Sequence, residues 1–287
     1  MNTAVYFIHA ITPLHAGIGQ GAGDIDLPIA RERPTRMPYL PGSSLKGALR
    51  ALCDKEAAVP LFGPDTANAS EHAGSVQLSD ARLLFFPVRS LYGIFAYVTS
   101  PFLIRRFLRD VRDVACTAVA FPDAGEPEAN ECFVTDNTVL RDRNNRVWLE
   151  DLGLTSLPRL PRNDFEAIAT AVSIPELAQR VCVVSDDVLT FFVETATEVT
   201  ARIRLDGERL TVEKGGLWYE EALPTETILT GLVQTRTLRK DGKTFIAAED
   251  ALTNLRTILG KRNVVQLGGK ATVGRGVCRL SLTEGAR

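Results

Sequence analysis

Histidine is scarce in this chain, with three in 287 residues: His9, His15 and His72. A hydrolytic triad has few imidazoles to draw on, and no G-x-S-x-G elbow accompanies them. H-E-x-x-H spacing is missing too, which argues against a helical zinc site. The five cysteines, Cys53, Cys116, Cys132, Cys182 and Cys278, are scattered, odd in number and never spaced C-x-x-C. That pattern argues against a disulfide framework and fits a reducing compartment. No apolar run reaches the roughly 20 residues that span a bilayer. MNTAVYFIHA also lacks the charged region and long apolar run of a signal peptide, so a cytoplasmic protein without membrane partners is expected. Strong charge of one sign is lacking as well, the formal net charge being −2. Contact with nucleic acid must then come from local basic patches.

What the chain does have is material for a core, at 45% hydrophobic and 24% charged residues. It also has one unusual stretch, Pro13 to Arg50, on which the rest is organised. Gly17, Gly19, Gly21 and Gly23 fall on alternate positions, followed by Asp24 and Asp26 and then by Arg31, Arg33 and Arg36. Glycine lets a ligand approach the main chain closely. A long loop ending in acid and base suggests a site as readily as a mobile connector. On an extended segment Asp24 and Asp26 would point the same way. Together they could hold a divalent ion, one could serve as a base, or both could be solvated. No helix opens directly after the glycines, so a dinucleotide fingerprint is rejected, and G-x-x-x-x-G-K-[ST] is absent.

Along the chain, residues 3–12 read as a strand and SSLKGALRALCDKEA as a helix capped by Ser43 or Ser44, with Lys46 and Arg50 sharing a face. Residues 60–75 read as a flexible excursion. Strands over 75–88 and 92–100 and a helix over 101–114, bearing Arg105, Arg106, Arg109 and Arg112, complete most of a ferredoxin-like βαββαβ unit. Residues 115–182 read as an insertion, with short strands near 132–140 and 146–150 and a helix near 164–180. From Asp187, strand character is expected through a hairpin turning at Asp206-Gly207. A core strand TETILTGLVQTRTL, a helix over 249–259 and a last strand pair come next. That pair carries a second cluster, Gly268-Gly269-Lys270 to Arg275-Gly276, which is either a phosphate-holding loop or a kinked hairpin.

The run H-A-G-x-G, then D-L-P-I-A-R-E, then L-P-G-S-S-L-K-G-A-L-R resembles the RAMP proteins of CRISPR–Cas effectors. Within them it is most similar to the backbone subunit of the type III-B, or Cmr, complex. SLYGIFAYVTSPFLIRRFLRD, GGLWYEEALPTET and QLGGKATVGRGV carry the same likeness, so it covers nearly the whole chain. The resemblance implies a single α+β domain: a modified RRM/ferredoxin-like palm over about 1–114 and 183–287, with finger insertions over about 115–182. A protruding thumb β-hairpin would occupy about 199–220.

It implies further that copies stack head to tail along a crRNA guide beside other Cmr subunits. Each copy would cut complementary target RNA in a metal-dependent way, with Mg2+ or Mn2+, leaving 2′,3′-cyclic phosphate and 5′-OH ends. The carried-over catalytic acid, and possible metal ligand, is Asp26. His15 and the Tyr219, Glu220 and Glu221 group are secondary candidates, and Glu220 and Glu221 could instead pair with arginines in a subunit interface. Guide contacts are expected at Ser43, Ser44, Lys46, Arg50, Gly268, Gly269, Lys270 and Arg275. The alternatives are a non-catalytic guide-binding scaffold, the equivalent type III-A subunit, and a metal-independent endonuclease that matures guide RNA.

Overall fold

A strand buried on both faces needs helices above and below it, and the first strand is of that kind. In the computed structural model, which describes residues 2–21, 23–65, 72–114, 125–206, 211–240, 243–260 and 263–283, β1 spans Asn2–Ala10 and is buried from Ala4 onward. After it come β2 (Tyr39–Leu40), α1 (Gly42–Ala51), α2 (Lys55–Phe62), β3 (Val76–Leu78), β4 (Ala81–Arg89), β5 (Phe95–Thr99) and α3 (Pro101–Asp113). The middle holds β6 (Glu131–Thr135), β7 (Arg146–Leu149), β8 (Leu152–Leu160), α4 (Glu166–Val172), α5 (Leu177–Arg180), β9 (Val181–Val183) and α6 (Asp186–Thr195). The last part holds β10 (Glu198–Leu205), β11 (Val212–Ala222), β12 (Ile228–Thr235), β13 (Leu238–Lys240), β14 (Lys243–Ile246), α7 (Ala248–Leu259), β15 (Val264–Gln266) and β16 (Val277–Leu282).

Side chains alternate across a strand, and β1 uses both sides. Ala4, Tyr6, Ile8 and Ala10 pack with Leu45 and Leu49 of α1 and Leu252 and Leu255 of α7. Val5 and Phe7 pack on the opposite side with Ile104, Phe107 and Val111 of α3 and Ile168 and Val172 of α4. Neighbouring strands run β16-β1-β12-β4, each pair antiparallel. With α1 and α7 as crossovers, this is the ferredoxin-like order, and it corrects the membership expected from sequence. The third strand and second helix of the unit are β12 and α7, not the segments at 92–100 and 101–114. Of those two, β5 lies beyond β4 while α3 covers the face of β1, and the sheet continues through β9, β6, β8 and β7. Residues 131–183 therefore extend the palm sheet itself.

Other expectations shift as well. α1 is capped by Pro41, not by a serine; the Gly42 N–H donates to Asp80 Oδ1 at 2.8 Å instead. Residues 187–195 are helical: Ser185 Oγ accepts from the Val188 N–H, Asp186 and Asp187 favour the positive N-terminus, and Leu189, Phe192 and Val193 form a buried stripe. The helix expected over 164–180 is broken where Ser173 turns left-handed, just before Pro175. The chain is helical up to Phe62, and residues 66–71 of the expected excursion lie outside the described residues. β8, β13 and β14 are additional to the expected elements. β10 and β11 form a separate two-stranded ribbon where the thumb is expected. Its turn at Gly207 lies outside the described residues. Among the described residues no helix is long and apolar enough to cross a membrane.

Candidate functional site

The glycine loop doubles back on itself. Ala30 N–H donates to Ala16 O at 2.8 Å, and the returning limb lies along β11, Leu27 N–H donating to Tyr219 O and Glu221 N–H to Leu27 O, both at 3.0 Å. A Cβ at Gly17 would stand 2.4 Å from His15 Nε2, so a larger residue there would have to displace the buried imidazole. The turn leaves Asp26 exposed at the edge of the ribbon base. Its Oδ2 accepts the Tyr219 N–H at 2.7 Å, and its own carbonyl accepts from the Gly21 N–H at 2.8 Å. One carboxylate oxygen is thus aimed by the backbone while the other faces outward. Asp24 is also exposed, but it sits in a bend, so the alternation expected of an extended segment does not apply.

His15 lies beneath this loop, 7% exposed, with Nδ1 2.6 Å from Glu221 O. A carbonyl can only accept, so Nδ1 carries the proton, and in the neutral ring Nε2 is the acceptor. The Tyr219 side chain stands exposed on the ribbon, while Glu220 and Glu221 are each 3% exposed. Both pair with cations of this same chain. Glu220 takes Lys270 Nζ at 2.6 Å, Trp218 Nε1 at 2.8 Å and Arg202 Nε at 3.4 Å. Burial alone would raise its carboxyl, but the Lys270 and Trp218 hydrogen bonds and the two cations outweigh that and hold it down to about 2.

A carboxyl depressed in this way adds stability above its ordinary value near 4.5 that disappears as pH falls toward 2. Urea unfolding should therefore separate wild type from Glu220→Gln clearly at pH 6 and converge as pH approaches 2. A gap independent of pH would remove Glu220 from this role.

The second glycine cluster packs against the first. Gly269 N–H donates to His15 O at 3.0 Å. Gly276, at φ +79°, approaches so closely that a Cβ would meet Leu267 O at 2.0 Å. Between the clusters and α1 runs a groove of about 400 Å³ walled by Ala16, Gly17, Ser44, Gly47, Gly268 and Gly269. Ser43 and Ser44 are exposed in the first turn of α1, and Lys46 is half-buried. Arg50 donates to Gly63 O at 2.6 Å and Asp65 Oδ1 at 2.7 Å. Arg275 is buried and donates to Thr200 Oγ1 at 3.0 Å. The structure thus gathers Asp26, His15, Tyr219, Glu220, Gly268, Gly269, Lys270 and Arg275 at the ribbon base, Ser44 across the groove, and Lys46 and Arg50 further along α1.

The last two letters of D-L-P-I-A-R-E acquire roles that reading in sequence does not assign. Arg31 Nη2 donates to Glu221 Oε1 at 2.6 Å, and Arg106 Nη1 bonds both oxygens of Glu32 at 2.8 Å. The motif is clamped to the ribbon on one side and to α3 on the other; its adjacent opposite charges are the available signal.

Among the described residues no three or more His, Cys, Asp or Glu side chains gather to hold a metal. Asp26 offers one outward carboxylate oxygen. That donor set fits an ion of the Mg2+ kind, which takes one or two carboxylates and fills its shell with water and phosphate oxygens.

The RAMP superfamily model matches residues 7–279. The chain is 36% identical over 299 residues to the CRISPR system Cmr endoribonuclease Cmr4 of Pyrococcus furiosus, covering 99% of this chain and 97% of that one. A crystal structure of oligomeric Cmr4 from Pyrococcus furiosus aligns over 100% of both chains, with 27% identity and a TM-score of 0.73. A chain of the type III-B Cmr-beta complex bound to cognate target RNA, 24% identical, shares the fold at a TM-score of 0.76 over 98% of this chain and 97% of its own. The chain belongs to the RAMP superfamily and, within it, to the Cmr4 family.

Proposed function

We propose that this chain is the backbone subunit of a type III-B CRISPR–Cas ribonucleoprotein, cytoplasmic and without a membrane partner, that cleaves target RNA complementary to its guide. The observation that carries the reading is an exposed Asp26 carboxylate aimed by the Tyr219 N–H, on the limb bonded back to the glycine loop whose Ala16 and Gly17 wall the groove. Guide phosphates lie along that groove against Ser43, Ser44, Gly268 and Gly269, with Lys46, Arg50, Lys270 and Arg275 supplying charge. Contacts of this kind ignore base identity, as a variable guide requires. Copies of the chain succeed one another along the guide, beside other Cmr subunits. The apolar face of the ribbon, with Ile203 and Leu217 each more than half exposed, supports a surface that is covered on assembly.

In the cleavage step Asp26 accepts the proton of a target 2′-OH as that oxygen bonds to the adjacent phosphorus. The P–O5′ bond breaks and the 5′-oxygen takes up a proton, which leaves a 2′,3′-cyclic phosphate and a 5′-OH. Little acid–base machinery is needed when the nucleophile is the RNA's own hydroxyl held in line. Asp26 would be the residue to hold a divalent ion, which would supply charge neutralisation at the phosphate. His15 and Tyr219 stand close enough to the ribbon base to assist in placing the RNA.

The test is target cleavage by the guide-loaded complex. Evenly spaced cuts are expected with Mg2+, increasing in number with guide length and absent in EDTA. Cutting that persists in EDTA would point to metal-independent chemistry. A complex that binds target and never cuts it would leave a scaffold.

A further inference from the structure

Glu221 is bonded to more parts of the site than any one role in folding the ribbon requires. Its Oε2 accepts the Ile29 N–H at 3.0 Å, and its Oε1 accepts Arg31 Nη2 at 2.6 Å and Thr197 Oγ1 at 3.0 Å. Its main chain adds two contacts: the N–H donates to Leu27 O at 3.0 Å, and the carbonyl takes His15 Nδ1 at 2.6 Å. One buried residue therefore joins the limb that carries Asp26, the loop that carries His15, the segment leading into β10, and β11. Leu27 and Ile29, both bonded to Glu221, lie one and three residues beyond Asp26. Asp26 itself is exposed, and among the described residues its carboxylate is tied to the ribbon through the Tyr219 N–H. Its lateral position is set by the limb behind it.

We infer that Glu221 is a positioning residue for the cleavage reaction: it sets the place of Asp26 against the RNA and does not itself touch substrate. This rests on the reading of Asp26 as the catalytic acid. A carboxylate suits the task because it accepts three donors from two segments, Ile29 and Arg31 of the limb and Thr197 before β10, whereas an amide loses an acceptor and must turn a donor toward Ile29 N–H, Arg31 or Thr197. The resulting drift of the limb is the kind of displacement to which proton-transfer geometry is sensitive, a shift of about 1 Å costing on the order of 100-fold.

The experiment compares guide-loaded complexes carrying wild type, Glu221→Gln, Asp26→Asn and both, each measured for target affinity and single-turnover cleavage. For Glu221→Gln the expected result is unchanged target affinity with a cleavage rate about 10- to 100-fold lower. The double variant is expected to cleave no more slowly than Asp26→Asn alone, since a residue acting through Asp26 has nothing left to position. A purely structural role would not give that non-additivity. Wild-type cleavage by Glu221→Gln, or a loss of rate matched by a loss of affinity, overturns the inference. So does a double variant slowed by the product of the single effects. If Glu221→Gln does not assemble, Thr197→Val removes one hydrogen bond and leaves the ion pair; a several-fold slower rate supports the inference and an unchanged rate overturns it. Full cleavage by Asp26→Asn would sink the catalytic reading itself, a result distinct from an active Glu221→Gln beside an inactive Asp26→Asn.

Discussion

Asp26→Asn is expected to leave target binding intact and to lower the single-turnover cleavage rate by about 10²- to 10⁴-fold, the span associated with a positioned general acid–base group. Asparagine keeps a carbonyl oxygen in place of Asp26 Oδ2, so the 2.7 Å hydrogen bond from the Tyr219 N–H can persist and the limb stays on the ribbon. The second anionic oxygen is lost, and with it the group proposed to accept the proton and to hold a cation. Guide and target affinity depend on phosphate contacts spread over the groove and are not expected to change. Asp26→Ala should be a harsher change, since it also frees the Tyr219 N–H. Labelled-target cleavage and filter binding on the same complexes decide the matter. A rate within a few-fold of wild type would move the chemistry to another residue or another subunit.

Where propensity and periodicity agree, the fold is legible from residues alone. β1, α1, α3, the ribbon and α7 fall close to where alternation or helical spacing puts them. α6 defies the β-branched and aromatic content of VLTFFV because strand preference is a weak prior, one that a capped, half-buried segment overrides. The cap is in plain view as Ser185-Asp186-Asp187, and it outweighs the composition of the residues after it. The membership of the ferredoxin-like unit cannot be read in order, because β12 and α7 arrive more than a hundred residues after β4 and which strands pair is set by tertiary packing.

The site divides in the same way. The glycine pattern and D-L-P-I mark Asp26 locally, and the likeness to RAMP proteins singles it out. The bonds that orient it join Ile29 and Arg31 to Glu221 across about 190 residues, and no local rule connects them. Lys270 is expected from sequence as a phosphate contact, and in the fold its ammonium also meets Glu220. A cation's partner depends on which carboxylate the fold places opposite it.

Arg31→Met is expected to destabilise the chain by about 3–5 kcal/mol, the loss typical of a buried ion pair deprived of one partner. The Arg31 and Glu221 side chains are 10% and 4% exposed, so water cannot readily replace the guanidinium. Methionine fills much of the volume but leaves Glu221 with the Ile29 N–H and the Thr197 hydroxyl alone. The hydrogen bonds from Arg31 to Val193 O and Arg36 O, which tie the limb to α6 and to its own turn, go as well. For a domain of this size such a loss lowers the melting temperature by roughly 10 °C. The comparison that isolates the cause is Arg31→Met with Glu221→Gln. If the cost is an uncompensated buried charge, neutralising Glu221 restores a substantial part of the lost stability, although two native side chains are now missing. If the cost is lost packing around the arginine stem, the two changes add. Recovery in the double variant together with slow cleavage would separate the two functions of the pair, since stability would return without the geometry that holds Asp26 to the RNA.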